Sequence, residues 1–282
     1  MRLRVNPGLC RRGRSCQTGD MSDATGVFDS TAPNVARIYD ALLGGKDNFQ
    51  ADRDAAAELL QRFPPMALMC RAQRDCLIRM VRFLAGEGGI GQFLDIGSGL
   101  PTQQNVHQVA LAANPAARVV YVDEDPVVLR HAQALLSKGD QVRAMSGDLL
   151  QPEKLLTEAA GQGIDFGQPV AVLILGLLHF VPDTADPYSA VATIREALPP
   201  GSYLALSHGE DSAEANAIAA AYRNAGIPGT PRVRADILRL FGDFELLPPG
   251  LVGVAEWRTE SDHIEPNTEA LRALVGGVAR RA

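Results

Sequence analysis

The sequence predicts an α/β domain with a mostly parallel sheet and helices on both faces. From residue 91 onward, short apolar runs alternate with helical patterns, the order that builds βαβ units. Runs such as Val170-Ala171-Val172-Leu173-Ile174-Leu175 are apolar at every position, which implies burial on both faces of the sheet. The stretch Phe93-Leu94-Asp95-Ile96-Gly97-Ser98-Gly99-Leu100-Pro101-Thr102 adds a third observation. An apolar strand runs into two glycines one residue apart, as when a buried parallel strand turns beneath a nucleotide-like ligand.

A chain of 282 residues suits one large domain with an extension, or at most two domains. The net charge is −6 and no basic stripe occurs, which disfavours nucleic acid as a partner. No apolar run approaches the ~20 residues that span a bilayer. Cys10, Cys16, Cys70 and Cys76 form no CxxC pair and are expected as reduced thiols in the cytoplasm. Residues 1–27 are expected as a disordered leader. Its arginines precede no apolar segment, so it does not read as a secretory signal. Met21-Ser22-Asp23-Ala24-Thr25 reads as an ordinary start, and translation is expected from Met21.

Residues 34–85 read as a helical region that begins a main domain over 28–260. The helical pattern of 34–63 breaks at Gly44-Gly45-Lys46-Asp47-Asn48-Phe49. Each helical glycine costs about 1 kcal/mol, so the pair marks a bend or a close approach. Over 66–85, Leu68, Ala72, Cys76, Met80 and Leu84 keep an i, i+4 spacing that predicts an amphipathic helix. Strands are expected at 92–96, 118–122, 141–146, 169–175 and 201–207. Helices are expected at 103–113, 126–137, 152–160 and 187–198, with Pro126 and Pro187 at first-turn positions. Helices at 212–225 and 233–241 follow. Residues 244–257 read as two strands joined by Pro248-Pro249-Gly250, an antiparallel finish. Residues 261–282 are expected as a tail with a short helix at 267–280.

Gly97 and Gly99 fit a tight turn where a side chain would meet a ligand. Asp95 closes the strand and is suited to hold the turn or a ligand ammonium. The next strand, Val119-Val120-Tyr121-Val122, runs into Asp123-Glu124-Asp125-Pro126. An acid there accepts hydrogen bonds from both ribose hydroxyls. A dinucleotide site prefers a third glycine, and the pattern here is Gly97-x-Gly99-x-x-Thr102. That points to a cofactor with one ribose, an adenine and no phosphate, S-adenosyl-L-methionine (SAM).

The chain resembles class I SAM-dependent methyltransferases. More narrowly, it resembles an actinobacterial methyltransferase-like family once catalogued as a domain of unknown function. The motifs that carry this are Ala36-Arg37-Ile38-Tyr39-Asp40-Ala41-Leu42-Leu43-Gly44-Gly45-Lys46-Asp47-Asn48-Phe49, Phe93 through His107, Leu178-His179-Phe180-Val181-Pro182-Asp183 and Leu198-Pro199-Pro200-Gly201-Ser202-Tyr203. The resemblance implies a Rossmann-like fold with a seven-stranded sheet, an antiparallel C-terminal strand and an N-terminal helical lid region. It implies that Asp95, Gly97 and Gly99 flank the methionine moiety. Asp123 binds the ribose with Glu124 beside it, Asp148 and Leu149 meet the adenine, and Gly176 lies at the rim by the sulfonium.

Methyl transfer needs an aligned nucleophile and sometimes a base. No metal is expected. His179, after the fourth strand, is the candidate base, although a His there also serves to anchor the following helix. Tyr39, Lys46 and Asn48 surround the double glycine and suit a lid or clamp, Tyr39 with a catalytic role and Lys46 as a cofactor contact. Ser207-His208 stand where they would reach an acceptor. The expected activity is methyl transfer to a small-molecule acceptor. A non-catalytic SAM sensor remains the alternative, and an NAD-dependent oxidoreductase the weaker one. The sequence leaves the acceptor and the oligomeric state open.

Overall fold

The computed structural model describes residues 29–101, 104–135, 140–259 and 268–282. The expected leader 1–27, the start at Met21, Cys10, Cys16 and Thr102 lie outside them, as does 261–267.

Three helices open the chain: α1 (Val35–Leu42), α2 (Gln50–Arg62) and α3 (Met66–Ala85). Asn34 caps α1, its side chain accepting from the Ala36 and Arg37 N–H groups. Strands and helices then alternate. They are β1 (Gln92–Ile96), α4 (Val106–Ala113), β2 (Arg118–Asp123), α5 (Pro126–Leu135), β3 (Val142–Ser146), α6 (Pro152–Gly161), β4 (Ala171–Leu175), α7 (Pro187–Ala197) and β5 (Tyr203–Gly209). The chain ends with α8 (Ala213–Asn224), α9 (Arg234–Phe241), β6 (Glu245–Leu246), β7 (Val252–Gly253), α10 (Thr268–Leu271) and β8 (Leu274–Arg280).

The strand order is β3-β2-β1-β4-β5-β8-β6, with β7 also on β8. The first five strands are parallel, and β8 is antiparallel to β5. Order reverses between β1 and β4, so a crevice opens at their carboxyl ends. Alternate strand residues feed two cores. Phe93, Val119, Leu173 and Ala205 pack beneath α1–α4 and α8. Leu94, Val120, Ile174 and Leu206 pack beneath α6, α7 and α9.

Three expectations are corrected. The sheet has eight strands, not seven. The helix expected over 267–280 is a single helical turn followed by β8, which sits inside the sheet rather than in a tail. Its residues Leu274–Ala279 are apolar without alternation because both faces are covered. A Cβ on Gly276 would stand 3.2 Å from Met80 Cε, and one on Gly277 3.2 Å from Leu246 Cδ1. Small residues there let both layers approach. Finally, β6 and β7 do not pair with each other. Both run along one edge of β8, and the intervening Pro248-Pro249-Gly250 interrupts the pairing, since proline cannot donate to a ladder.

Candidate active site

The glycine turn is built by β2. Val122 O accepts from the Gly97 and Ser98 N–H groups at 2.9 and 3.2 Å, folding the chain over the sheet edge. Gly97 and Gly99 have φ of +72° and +66°, a region costly for side chains. A Cβ on Gly97 would also stand 2.8 Å from the Leu177 side chain. The turn itself therefore demands both glycines.

Asp123 ends β2 beside this turn. Its Oδ2 accepts the Gly99 N–H at 2.9 Å and its Oδ1 the Asp125 N–H at 3.0 Å. Burial still pushes its pKa up to about 6, against the pull of these two bonds. Burial and the nearby Asp148 also raise Glu124. Asp148 accepts from the Leu150 N–H at 2.8 Å and from Gln151 Nε2 at 3.1 Å, so it also shapes the start of α6.

These groups open onto a cavity of about 400 Å³, within the range of small-molecule sites, roughly 300–1,000 Å³. Of the expected site residues, Tyr39, Gly97, Gly99, Asp123, Glu124, Asp148, Leu149, Gly176 and His179 line it. Asp95 and Lys46 do not. Asp95 sits on the β1 face turned to α3 and α4, near Arg74 and Tyr121 in a separate small space. Burial drives its pKa up to about 7, with Arg74 opposing. Lys46 is exposed on the loop between α1 and α2. That loop wraps the Asp40 carboxylate, whose Oδ2 accepts from the Asp47 N–H at 2.9 Å and from Asn48 Nδ2 at 2.8 Å. A Cβ on Gly45 would overlap that carboxylate. Gly45 serves this close approach and Gly44 the turn, with φ of +79°, while the α1 segment, through Asn34, Val35, Ala36 and Tyr39, covers the cavity. Arg37 ties α1 down, with Nε 2.9 Å from Asp52 and Nη1 3.2 Å from Asp125.

The two candidate catalytic groups are both neutral. The Tyr39 hydroxyl donates to Cys70 O at 2.9 Å, and burial raises its pKa. It is a wall, not a base. Burial, then His208 and Arg232, push His179 down to about 3. His179 Nδ1 is buried with no hydrogen-bond partner among the described residues. Behind it, Arg232 donates to His208 Nε2 at 2.7 Å and pairs with Asp183 at 2.7 Å. Since arginine only donates, His208 carries its proton on Nδ1 and donates to Gly209 O at 2.9 Å. His208 is therefore a strut and not the acceptor contact expected of it. Ser207 faces the other side, toward α3. His107 is engaged with the Tyr121 hydroxyl, 2.8 Å from Nδ1.

The sequence reading missed the α3 wall. Met66, Met69, Cys70, Gln73, Arg74 and Leu77 line the cavity from that helix. A signal was present, because Gln73 interrupts an apolar stripe at helical spacing.

The donor set fits a cationic nucleoside better than a pyrophosphate. Asp123, Glu124 and Asp148 share the lining, with Arg74 as the single Lys or Arg among the described lining residues. A parallel sheet reversed at β1/β4, an antiparallel β8, the glycine turn and the strand-end acid define a methyltransferase of Rossmann-like fold. The chain belongs to the S-adenosyl methyltransferase family, whose model matches residues 21–282. It is a SAM-dependent methyltransferase, with SAM as its cofactor and a methyl acceptor as its second substrate. It is similar to a candidate methyltransferase from Thermobifida fusca, with 42% identity, 90% of this chain and 96% of that one covered, and a TM-score of 0.85. It is also similar to a DUF574-family protein from Streptomyces avermitilis, with 37% identity, 90% and 99% coverage, and a TM-score of 0.84. No curated protein matches it. Nothing in these likenesses favours the sensor or the NAD-dependent alternative. Among the described residues, no helix is long and apolar enough to cross a membrane.

Proposed function

We propose that the chain methylates a small, neutral, largely apolar molecule held between α3, α8 and the carboxyl ends of β4 and β5. The cavity carries this reading. Its polar wall at Asp123 is continuous with an apolar one that includes Met66, Met69, Leu77, Ile218 and Tyr222. Nucleic acid fits neither the lining nor the net charge of −6. The buried, unpaired thiols of Cys70 and Cys76 suit a reducing cytoplasm.

Asp123 accepts from both ribose hydroxyls, with Glu124 beside it. Asp148 and Leu149 take the adenine. Gly97, Gly99 and Gly176 leave room for the methionine moiety. Asp95 supports the turn from behind, and Lys46 takes no part. When bound, SAM supplies an electrophilic methyl group on a sulfonium. The protein contributes alignment and exclusion of water. His179 is neutral at pH 7, so it does not ionise the acceptor beforehand. So weak a base takes a proton only from a strongly acidic cation, such as the oxonium formed when a neutral hydroxyl gains the methyl group; a methylated amine releases its proton to water instead.

Titration calorimetry with SAM, S-adenosylhomocysteine (SAH) and NAD tests this. SAM and SAH are expected to bind and NAD to give no heat. Asp123→Asn keeps the side chain's size but weakens the acceptor, and is expected to lower SAH affinity about tenfold or more. In the wild type, only the carboxylate form accepts from both hydroxyls. SAH affinity is therefore expected to weaken as pH falls below about 6, by up to about tenfold per unit. Unchanged SAH affinity in Asp123→Asn rejects the ribose assignment.

A further inference from the structure

Gln73 is a buried amide with one end unused. It is 6% exposed and lines the cavity. Its Nε2 donates to Ser207 Oγ at 2.8 Å, and that same oxygen accepts the Gly176 N–H at 2.8 Å. The amide nitrogen is thus turned to the strand and the carbonyl away from it. Gln73 Oε1 is buried with no hydrogen-bond partner among the described residues. Buried acceptors are nearly always satisfied, and an exception lining a cavity marks where a ligand completes the site.

Folding uses only the nitrogen end of this amide. Met66, Met69, Cys70, Gln73 and Leu77 share one face of α3 at i, i+3, i+4, i+7 and i+11 spacing. Gln73 is the polar member of that stripe, and an apolar side chain there would bury no unpaired group. His179 marks the same place from the other side. Ser207 and Gly209 point to the same face of β5, roughly 7 Å apart. A Cβ on Gly209 would stand 3.8 Å from His179 Cβ. The amide and the imidazole therefore flank one stretch of strand end, each with a buried atom that has no partner among the described residues.

We propose that Gln73 Oε1 accepts a hydrogen bond from an O–H or N–H of the methyl acceptor, making Gln73 the residue that selects neutral hydroxyl or amine acceptors. This rests on the reading of the cavity as the acceptor site. A carboxylate has no proton to give and would face the carbonyl. The cofactor's ammonium is the other donor near this carbonyl, since Gly176, beside the methionine moiety, shares Ser207 Oγ with Gln73; SAH carries the same ammonium, so SAH affinity in the variants separates the two.

The test uses the SAH-saturated protein and five probes on one naphthalene frame: 1-naphthol, 1-naphthylamine, 1-methylnaphthalene, 1-naphthoate and 1-naphthylmethylammonium. In the wild type, the naphthol and naphthylamine are expected to bind about tenfold tighter than the methyl compound, the worth of one buried hydrogen bond. Gln73→Met is expected to erase that preference with SAH affinity unchanged. Gln73→Glu, which keeps a polar end, is expected to favour 1-naphthylmethylammonium over 1-naphthol. It serves alone if Gln73→Met does not fold. Equal binding of the probes by the wild type, no binding of any, or tightest binding of the naphthoate overturns the proposal. So does a preference that survives in the folded Gln73→Met protein or is unaltered in Gln73→Glu. Loss of SAH affinity in a folded variant assigns Gln73 to the cofactor instead, and also overturns it. Failure of the wild type to bind SAH is a separate result, which removes the underlying reading of the cavity.

Discussion

Asp95 shows how a residue can be conspicuous in the sequence and yet stand outside the cavity. It is the penultimate residue of β1, but strand alternation turns it toward α4, where it is 4% exposed. Burial raises its folded pKa to about 7 from 3.8. Between those values the native state holds a proton that the unfolded chain has released. Stability therefore falls as pH rises through this window, and the cost is complete above about 7. Asp95→Asn is expected to raise Tm by a few degrees at pH 8 and to leave it nearly unchanged at pH 4. Melting curves at the two pH values check this, and an equal shift at both rejects the burial argument. Asp123, raised to about 6, leaves a weaker slope of the same sign in the variant. The acid at Asp123 was legible because its role follows from place alone, at the end of the strand beside the glycine turn. The inward or outward aim of Asp95 depends on which helices cover β1.

At the scale of elements, the loop between α1 and α2 illustrates the same division. Two glycines in a helical pattern correctly signalled a close approach. The partner is the Asp40 carboxylate, five residues upstream of Gly45, and not a ligand. Gly45→Ala must displace that carboxylate and with it the bonds to Asp47 and Asn48, a cost of about 1–3 kcal/mol. Gly44 has φ of +79° with open space around it, so Gly44→Ala is expected to cost only about 1 kcal/mol. Urea unfolding separates the two. Neither change is expected to alter SAH affinity, and a tenfold loss in a folded variant would restore the loop as a lid. Helix α1 does the covering instead. Its Arg37 meets Asp125, whose N–H is bound by Asp123, so the cover and the strand-end acid share one hydrogen-bonded chain.

At the scale of the whole molecule, β8 decides whether the sheet is complete. It lies between β5 and the β6/β7 edge, and Val275, Val278 and Ala279 are essentially buried. A chain ending at residue 260 would expose the open edge of β5 and part of both cores. Such a truncation is expected to aggregate or to lose cooperative unfolding. A soluble protein with an unchanged Tm would return these residues to the status of a tail. The sequence by itself determined the parallel α/β core, the glycine turn, the strand-end acid and so the cofactor, because each is written within one strand–turn–helix unit. Strand-end position already singled out His179 and Ser207, and only the tertiary structure brought Gln73 of α3 beside them. No local pattern links Gln73 to residues more than a hundred positions away. The order β1-β4-β5-β8 brings those strand ends together, and packing α3 across them turns one amide of an apolar stripe into the polar point of the pocket.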